Sequence, residues 1–360
     1  MRILLGPEDP AGVATALRDG LRARGHQAEL VVLRPHPFLL PHDRVAGSYR
    51  SRVREGARAP LRYDVLHWQF GITLLEHLDA VWAHVAGRPL QLMHYWGSDA
   101  RTERVAEQIG SSSALRRIRL QPHERSDRMT RLRLWLASRL CRAALVSDLE
   151  LMQYVAPWFS RIYVVATPLG SLEAGPPPPP LAGSAPIVFH APSNARAKGT
   201  DTILPLLERL GAEGMLRARM ISGVPRRQVL AEIERADVIV DQLHSETPGV
   251  FALEAMALGK PVLLQFRRDL LAGAMRDAPL VAVTAATLER ELRALCADPE
   301  RRLALGRQGR RYVERVHDAA RVAAAVEHIY AHARLAGPGR FHASAEGVAP
   351  LAAETEPVAN

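Results

Sequence analysis

Short apolar runs alternate along this chain with longer segments whose apolar residues recur every three to four positions. Residues 2–6 (RILLG) form the first run, and 14–25 (ATALRDGLRARG) after it is amphipathic and closes on Gly25, where a left-handed helix end belongs. Segments 28–33, 63–70, 89–97, 143–147 and 161–166 repeat the apolar signature and read as strands. The alternation restarts at residue 187. Strands are expected over 187–192, 217–223, 237–243, 261–266 and 280–284, helices over 201–211 and 226–236, and Arg-rich helices over about 287–334. A parallel strand is reached only through a crossover, so this alternation predicts an α/β protein with parallel sheets covered on both faces.

The two series are separated by EAGPPPPPLAGSAP, residues 173–186. Five consecutive prolines continue neither a helix nor a central strand, and they read as a semi-rigid linker. The expected organisation is a first doubly wound domain over 1–175, a linker over 176–186 and a second doubly wound domain over 187–317. A C-terminal helix at 318–335 and a mobile tail at 336–360 follow. The domains should face each other across a cleft, with ligands beyond the C-terminal strand ends.

Three stretches near expected strand ends carry polar chemistry inside apolar surroundings. The first is SETPGVFALEAMALGKPV, residues 245–262. Thr247 is the expected N-cap, Pro248 the first helical residue and Gly259 the C-cap glycine, giving a helix over about 248–258. The free amides of Gly249, Val250 and Phe251 would then point toward the strand ends, where an anion can be held. Glu254 sits two turns in, on a helix apolar all round. A buried carboxylate needs a partner, either ligand hydroxyls or one of the arginines. The second stretch is HAPSNARAKGTD, residues 190–201, where Ser193, Asn194, Arg196 and Lys198 lead from a strand into a helix and Lys198 can reach a phosphate. The third is MHYWGSDAR, residues 93–101, with His94, Ser98 and Asp99 around Gly97. Gly12, between the first strand and first helix, is a further point where a backbone can approach a ligand.

Composition narrows the chemistry. The formal net charge is +9, and of 47 Lys and Arg residues only Lys198 and Lys260 are lysines. That balance favours anionic partners. No nucleic-acid motif or aromatic platform accompanies it, so nucleic acid is not an expected partner. Residues 101–142 carry eleven arginines against four acids. TRLRLWLASRLCR within them reads either as a solvated helix over the sheet or as a basic amphipathic helix touching anionic lipid. Cys141 and Cys296 lack metal-ligand spacing, no aspartate pair stands two apart, and no metal site is expected. The start is too briefly apolar for a secretory signal and no run is long enough to span a bilayer, so a cytoplasmic location, peripheral at the inner face of the membrane, is expected.

Glu246 and Glu254, with TPGVFAL between them and EAMALGKPV after, resemble the E-x7-E signature of retaining glycosyltransferases of family 4. KGTD is similar to that family's Lys-Gly segment, ADVIVDQ to the strand before the signature, and GSDAR to a first-domain motif of bacterial members. The resemblance spans roughly residues 1–335. It implies a GT-B fold, two Rossmann-like domains with a nucleoside-diphosphate sugar of UDP or GDP type between them, and no further cofactor. By that similarity Glu254 would bind the ribose hydroxyls, Glu246 the donor sugar, the amides from Gly249 the diphosphate, and Lys198 the leaving phosphate. Many members carry an arginine six residues before the lysine. Pro192 stands there, and Arg196 is the expected substitute. Members often place a histidine directly before Gly-Ser-Asp. Trp96 stands there, and His94 is expected to replace it on the acceptor side. The implied reaction is sugar transfer with retention to a glycan or lipid-linked acceptor. A sugar-nucleotide epimerase or a non-catalytic nucleotide-sugar-binding protein of the same fold is the alternative.

Overall fold

The computed structural model describes the chain except for residues 37–39, 121–125, 171, 173–184, 336–340 and 345–360. Nearly all of the proline-rich linker, and the tail beyond 344, therefore lie outside the described residues. The first unit comprises β1 (Arg2–Gly6), α1 (Val13–Ala23), β2 (Gln27–Val32), β3 (Arg44–Val45), α2 (Tyr49–Arg62), β4 (Val65–Gln69), α3 (Leu78–Ala86) and β5 (Leu90–Tyr95). It continues with α4 (Glu103–Gln108), α5 (Ser112–Leu120), α6 (Asp127–Leu140), β6 (Ala143–Val146), α7 (Leu149–Val155) and β7 (Arg161–Val164). The second unit comprises β8 (Ile187–His190), α8 (Ala195–Lys198), α9 (Thr200–Ala212), β9 (Arg217–Met220), α10 (Arg226–Arg235), β10 (Val238–Val240) and α11 (Val250–Ala257). After it come β11 (Val262–Leu264), β12 (Val281–Ala282), α12 (Leu288–Ala297), α13 (Pro299–Val316), α14 (Ala319–Leu335) and β13 (Phe341–Ser344).

Both sheets are parallel. The first runs β3-β2-β1-β4-β5-β6-β7-β13 and the second β9-β8-β10-β11-β12. In each, strand order reverses next to the first strand of the unit, between β1 and β4 and between β8 and β10. Connections there leave to opposite sides and open a crevice at the C-terminal strand ends. The fold is thus α/β with two Rossmann-like units, the GT-B arrangement. Beyond residue 335 the sequence pattern places no element, yet Phe341–Ser344 pair with Arg161–Val164 as an edge strand. Backbone pairing supplies an order that the apolar pattern does not encode.

The core of the first unit has two sides. Ile3, Leu5, Leu17, Leu21 and Leu30 pack under α1 and α14 with Val326, Ile329 and Tyr330. Leu66, Trp68, Met93, Ala83, Leu134 and Ala137 fill the opposite face beneath α3 and α6. The C-terminal helix α14 therefore belongs spatially to the first unit. Gly20 on α1 lets it approach, because a Cβ there would collide with the carbonyl oxygen of Ala319. Gly306 and Gly309 on α13 do the same for α11, lying against the Gly259 carbonyl and the Met256 side chain.

The return crossing is pinned by His317, between α13 and α14. Its Nδ1 lies 2.9 Å from the Thr167 carbonyl and its Nε2 3.0 Å from the Tyr312 hydroxyl. The Leu169 amide donates to the His317 carbonyl and the Ala319 amide to that of Leu169, so the two interdomain crossings form one short ladder. Complete burial lowers the imidazole to about 4, while the bond to the Thr167 carbonyl opposes that drop. The unfolded chain, with an ordinary histidine near 6.5, binds more protons between those values. Stability contributed by neutral His317 should therefore fall as pH drops from about 6.5 toward 4, by at most ~1.4 kcal/mol per pH unit. Thermal melts across that range should show a shallower decline for His317→Gln than for the native chain. Equal slopes would mean that His317 is not coupled to folding.

Candidate functional site

The two crevices meet in one interdomain cavity of about 280 Å³. Pro10, Ala11 and Val13 approach it from the β1–α1 connection, and Trp96, Arg101 and Thr167 complete the first unit's wall. Asn194, Lys198, Gln242 and the Thr247–Val250 segment form the opposite wall. A second pocket of about 220 Å³ continues into the second unit between Pro192, Gly223, Arg226, Phe251 and Glu254. Ala11, Ser193, Lys198 and Val250 line both, so the two form a continuous track.

Helix α11 begins at Val250 behind Gly249, two residues later than the Thr247 cap predicts. The Thr247 carbonyl accepts from Gln242 Nε2 at 2.9 Å and from Ser245 Oγ at 3.1 Å, which holds Thr247 and Pro248 in the loop. Gly249 makes no side-chain cap, and the first helical amides have no intrahelical acceptor. Gly249 and Val250 line the interdomain cavity, and Val250 and Phe251 the adjoining pocket. Gly249, Val250 and Phe251 thus stand at the start of a helix that begins later than expected.

Lys198 ends the one-turn helix α8, capped by the Asn194 side chain accepting from the Ala197 amide at 3.1 Å. Its Nζ donates to Asp241 Oδ1 at 2.5 Å and Gln242 Oε1 at 3.0 Å. Asp241 is fully buried, and its Oδ2 finds no hydrogen-bond partner among the described residues. The cation is thus anchored by a buried carboxylate, and Lys198 lines both pockets. Glu254, 5% exposed, pairs with Arg226 Nε at 2.5 Å. Burial pushes its carboxyl above the ordinary range, against the pull of the guanidinium. The arginine alternative for Glu254 is therefore met, and it is met at the wall of the pocket, where both side chains remain available to a ligand.

Other expected contacts are redirected. Glu246 faces away from the cavity and accepts from Ser111 Oγ at 2.8 Å, across the domain boundary, beside a Gln265–Ser113 bond of 2.8 Å. The residue expected to meet the donor sugar is thus engaged by Ser111, at the start of α5, in this arrangement. His94 is fully buried, stacked between Trp96 at 3.9 Å and His67 at 5.3 Å between ring centroids. Desolvation and the neighbouring His67 push its imidazole well below the usual range. A ring sealed beneath Trp96 cannot touch an acceptor, and Trp96 itself is the wall residue. Asp99 accepts from the amides of Trp96 and Gly97 and so closes the turn that carries Trp96. Ser98 is half-buried and lies off the cavity. Gly12 packs toward Leu40, while its neighbours Ala11 and Val13 reach the cavity. Arg196 is exposed and lines neither pocket, so it does not replace the arginine that Pro192 displaces.

Four contributors were not singled out by sequence. Arg226 and Asp241 are the charge partners of Glu254 and Lys198, and the second lies inside the apolar run 237–243, where a carboxylate is as conspicuous as Glu254. Trp96 was read only as a substitution. Arg101 lines the cavity from beneath, with Nε and Nη2 on Glu150 at 3.1 and 2.7 Å. Among the described residues no group of three His, Cys, Asp or Glu is spaced to hold a metal ion.

With this geometry established, known structures provide a comparison. The fold is shared with several solved structures. Sucrose-phosphate synthase of Thermosynechococcus elongatus superposes with a TM-score of 0.63 at 18% identity, covering 93% of this chain and 99% of that one. HepE of Anabaena, solved with UDP and glucose, gives 0.63 at 13% identity over 92% and 99% of the two chains. TarM of S. aureus gives 0.54 at 9% identity over 76% and 55%. No family model and no curated sequence matches the chain.

Replacing Arg226 tests whether Glu254 is ionised at the pocket wall. Arg226→Met leaves a buried carboxylate without its cation, an expected loss of about 1–3 kcal/mol at pH 8. Without the guanidinium the folded-state carboxyl rises further. The folded protein then binds the extra proton, and the deficit should shrink as pH falls toward 5. A deficit independent of pH in denaturant titrations would show that the pair is not ionic.

Proposed function

We propose that this chain is a glycosyltransferase that moves a sugar from a nucleoside-diphosphate donor, of UDP or GDP type, to a glycan or lipid-linked acceptor with retention. One observation carries the reading. Lys198 and the open first amides of α11 converge on a single cavity where the crevices of two Rossmann-like sheets meet. A diphosphate leaving group gains negative charge as the glycosidic bond breaks. Preorganised donors aimed at that charge are worth more in the transition state than in the ground state. The adjoining pocket, apolar along Val229, Val250 and Phe251 and ended by Arg226 and Glu254, suits a base and ribose. HepE, a fold relative solved with UDP and glucose, supports this assignment of the donor.

The carboxylates support the stereochemical reading. Asp148 is the acid on the first unit's wall, and both its oxygens are engaged, Oδ1 by the Leu151 amide at 2.7 Å and Oδ2 by Ser147 Oγ at 2.9 Å. It caps α7 rather than offering a free oxygen to a sugar carbon or an acceptor proton. Attack on the same face as the departing diphosphate needs neither a protein nucleophile nor a protein base, since the leaving phosphate takes the acceptor proton.

The two lysines separate this reading from a structural one. Lys260 is buried at the far end of α11 and donates to the Glu234 carbonyl at 2.8 Å. Desolvation lowers its ammonium, while Asp237 and Glu234 oppose the shift. Lys260→Ala should cost stability and leave turnover of the folded fraction unchanged. Lys198→Ala should reduce kcat by ~10²–10³. Donors are first chosen by thermal shift against UDP, GDP, ADP and TDP sugars, since a ligand of the native state raises the melting point by mass action. Release of nucleoside diphosphate with a new glycoside is the expected product. Epimerised donor, or binding without turnover, would replace the reading with one of its alternatives, and equal kcat losses in the two lysine variants would displace the phosphate site.

A further inference from the structure

Two neighbouring helices of the first unit leave large apolar side chains in solvent. On α3, Leu78, Val81, Trp82 and Val85 are exposed, Leu78 and Val85 at 70% and 72%, and pairs three or four positions apart (78/81, 78/82, 81/85, 82/85) set them on one side of the helix. On α6, Met129, Leu132 and Trp135 form a second exposed stripe. The opposite sides of both helices are buried, at Ala80 and Ala83 and at Leu134 and Ala137, so the exposed stripes are not their packing faces. The two helices touch, and they end together at a hollow of about 640 Å³. Arg88, Arg139, Arg142, Arg161 and Arg334 line that hollow, and no carboxylate does among the described residues.

We propose that this face docks on an anionic lipid bilayer, the stripes entering the interface and the arginine hollow taking lipid phosphates. The inference does not rest on the glycosyl-transfer reading. Charge complementarity chooses the occupant. A second copy of the chain would set arginines against arginines, and a free phosphate would leave the apolar stripes without purpose. Tryptophan beside arginine, as in Trp135 one helical turn before Arg139 on α6, is the composition that membrane–water interfaces favour. The sequence anticipated lipid contact only from the basic region 101–142. The face adds α3, which carries no arginine at all. Leu90 and Arg161 begin β5 and β7, and Arg142 directly precedes β6, so the hollow lies at the N-terminal strand ends. The cleft lies at the opposite ends. A docked molecule therefore keeps its cleft open to soluble donor. No helix among the described residues is long and apolar enough to cross a membrane, so the attachment is by surface contact.

Vesicle flotation of the full chain tests it, with phosphatidylcholine alone and phosphatidylcholine mixed with phosphatidylglycerol. The native chain should float with the anionic vesicles only, and high salt should release it. Val85→Ser with Trp135→Ser, both at exposed positions, should weaken binding at least tenfold at unchanged circular dichroism. Arg88→Ser and Arg139→Ser should each cost about fivefold. Absence of anionic-vesicle binding, or binding indifferent to these substitutions, overturns the proposal. A dimer in size-exclusion chromatography that the serine variants dissolve would assign the face to a second copy instead. Stabilisation by inorganic phosphate without vesicle binding would make the hollow a free-anion site.

Discussion

The chain crosses between its two sheets at Leu169 and again at Asp318, and the crossings are bonded to each other. This short ladder, with His317 spanning from the Thr167 carbonyl to the Tyr312 hydroxyl, fixes where the units meet. Because α14 returns across it to lie on α1, the first sheet is closed on one face by the last helix of the chain. The cleft exists because two strand-order reversals are held opposite one another. Together the two crevices form a cavity lined from both units. The glycine contacts at Gly20 and Gly306 serve the same end, since both allow backbone to approach backbone where a methyl group would push a helix out of register.

Within that frame, charge is arranged in layers. Asp241 sits fully buried beneath Lys198, Glu254 meets Arg226 at the pocket wall, and Glu150 holds Arg101 on the other side. Each cation near the cavity is oriented by a buried carboxylate, so the donors are aimed before a ligand arrives. Glu246 uses its carboxylate differently, bridging to Ser111 across the cleft. A ligand reaching Glu246 would have to displace that bond, which couples donor contact to the relation between the units. The buried file of Tyr330, His67, His94 and Trp96 likewise joins the returning helix to the cavity wall.

Much of this architecture was legible in the sequence. Alternating apolar runs and amphipathic segments reveal a parallel α/β fold because each element's period is local. Glu254 announced itself as a carboxylate in an apolar helix, and Lys198 as one of only two lysines. Partners were not legible. Nothing local says that Arg226 meets Glu254 or that Asp241 meets Lys198, since those pairings depend on how separate strand ends are juxtaposed. Side-chain direction was likewise hidden. His94 and Trp96, two positions apart, share one face of the strand path, and only packing decides that the histidine is sealed while the stacked indole lines the cavity. The edge strand at Phe341–Ser344 escaped because its order comes from pairing with β7.

The central claim is that a donor's diphosphate lies between Lys198 and the first turn of α11. The most direct measurement is a crystal structure with UDP soaked or co-crystallised. The account predicts phosphate density within hydrogen-bond reach, about 3 Å, of Lys198 Nζ and of the amides at Gly249 and Val250, with the ribose toward Glu254. UDP bound elsewhere in the molecule, with Lys198 left on Asp241 and the α11 amides open, would contradict it.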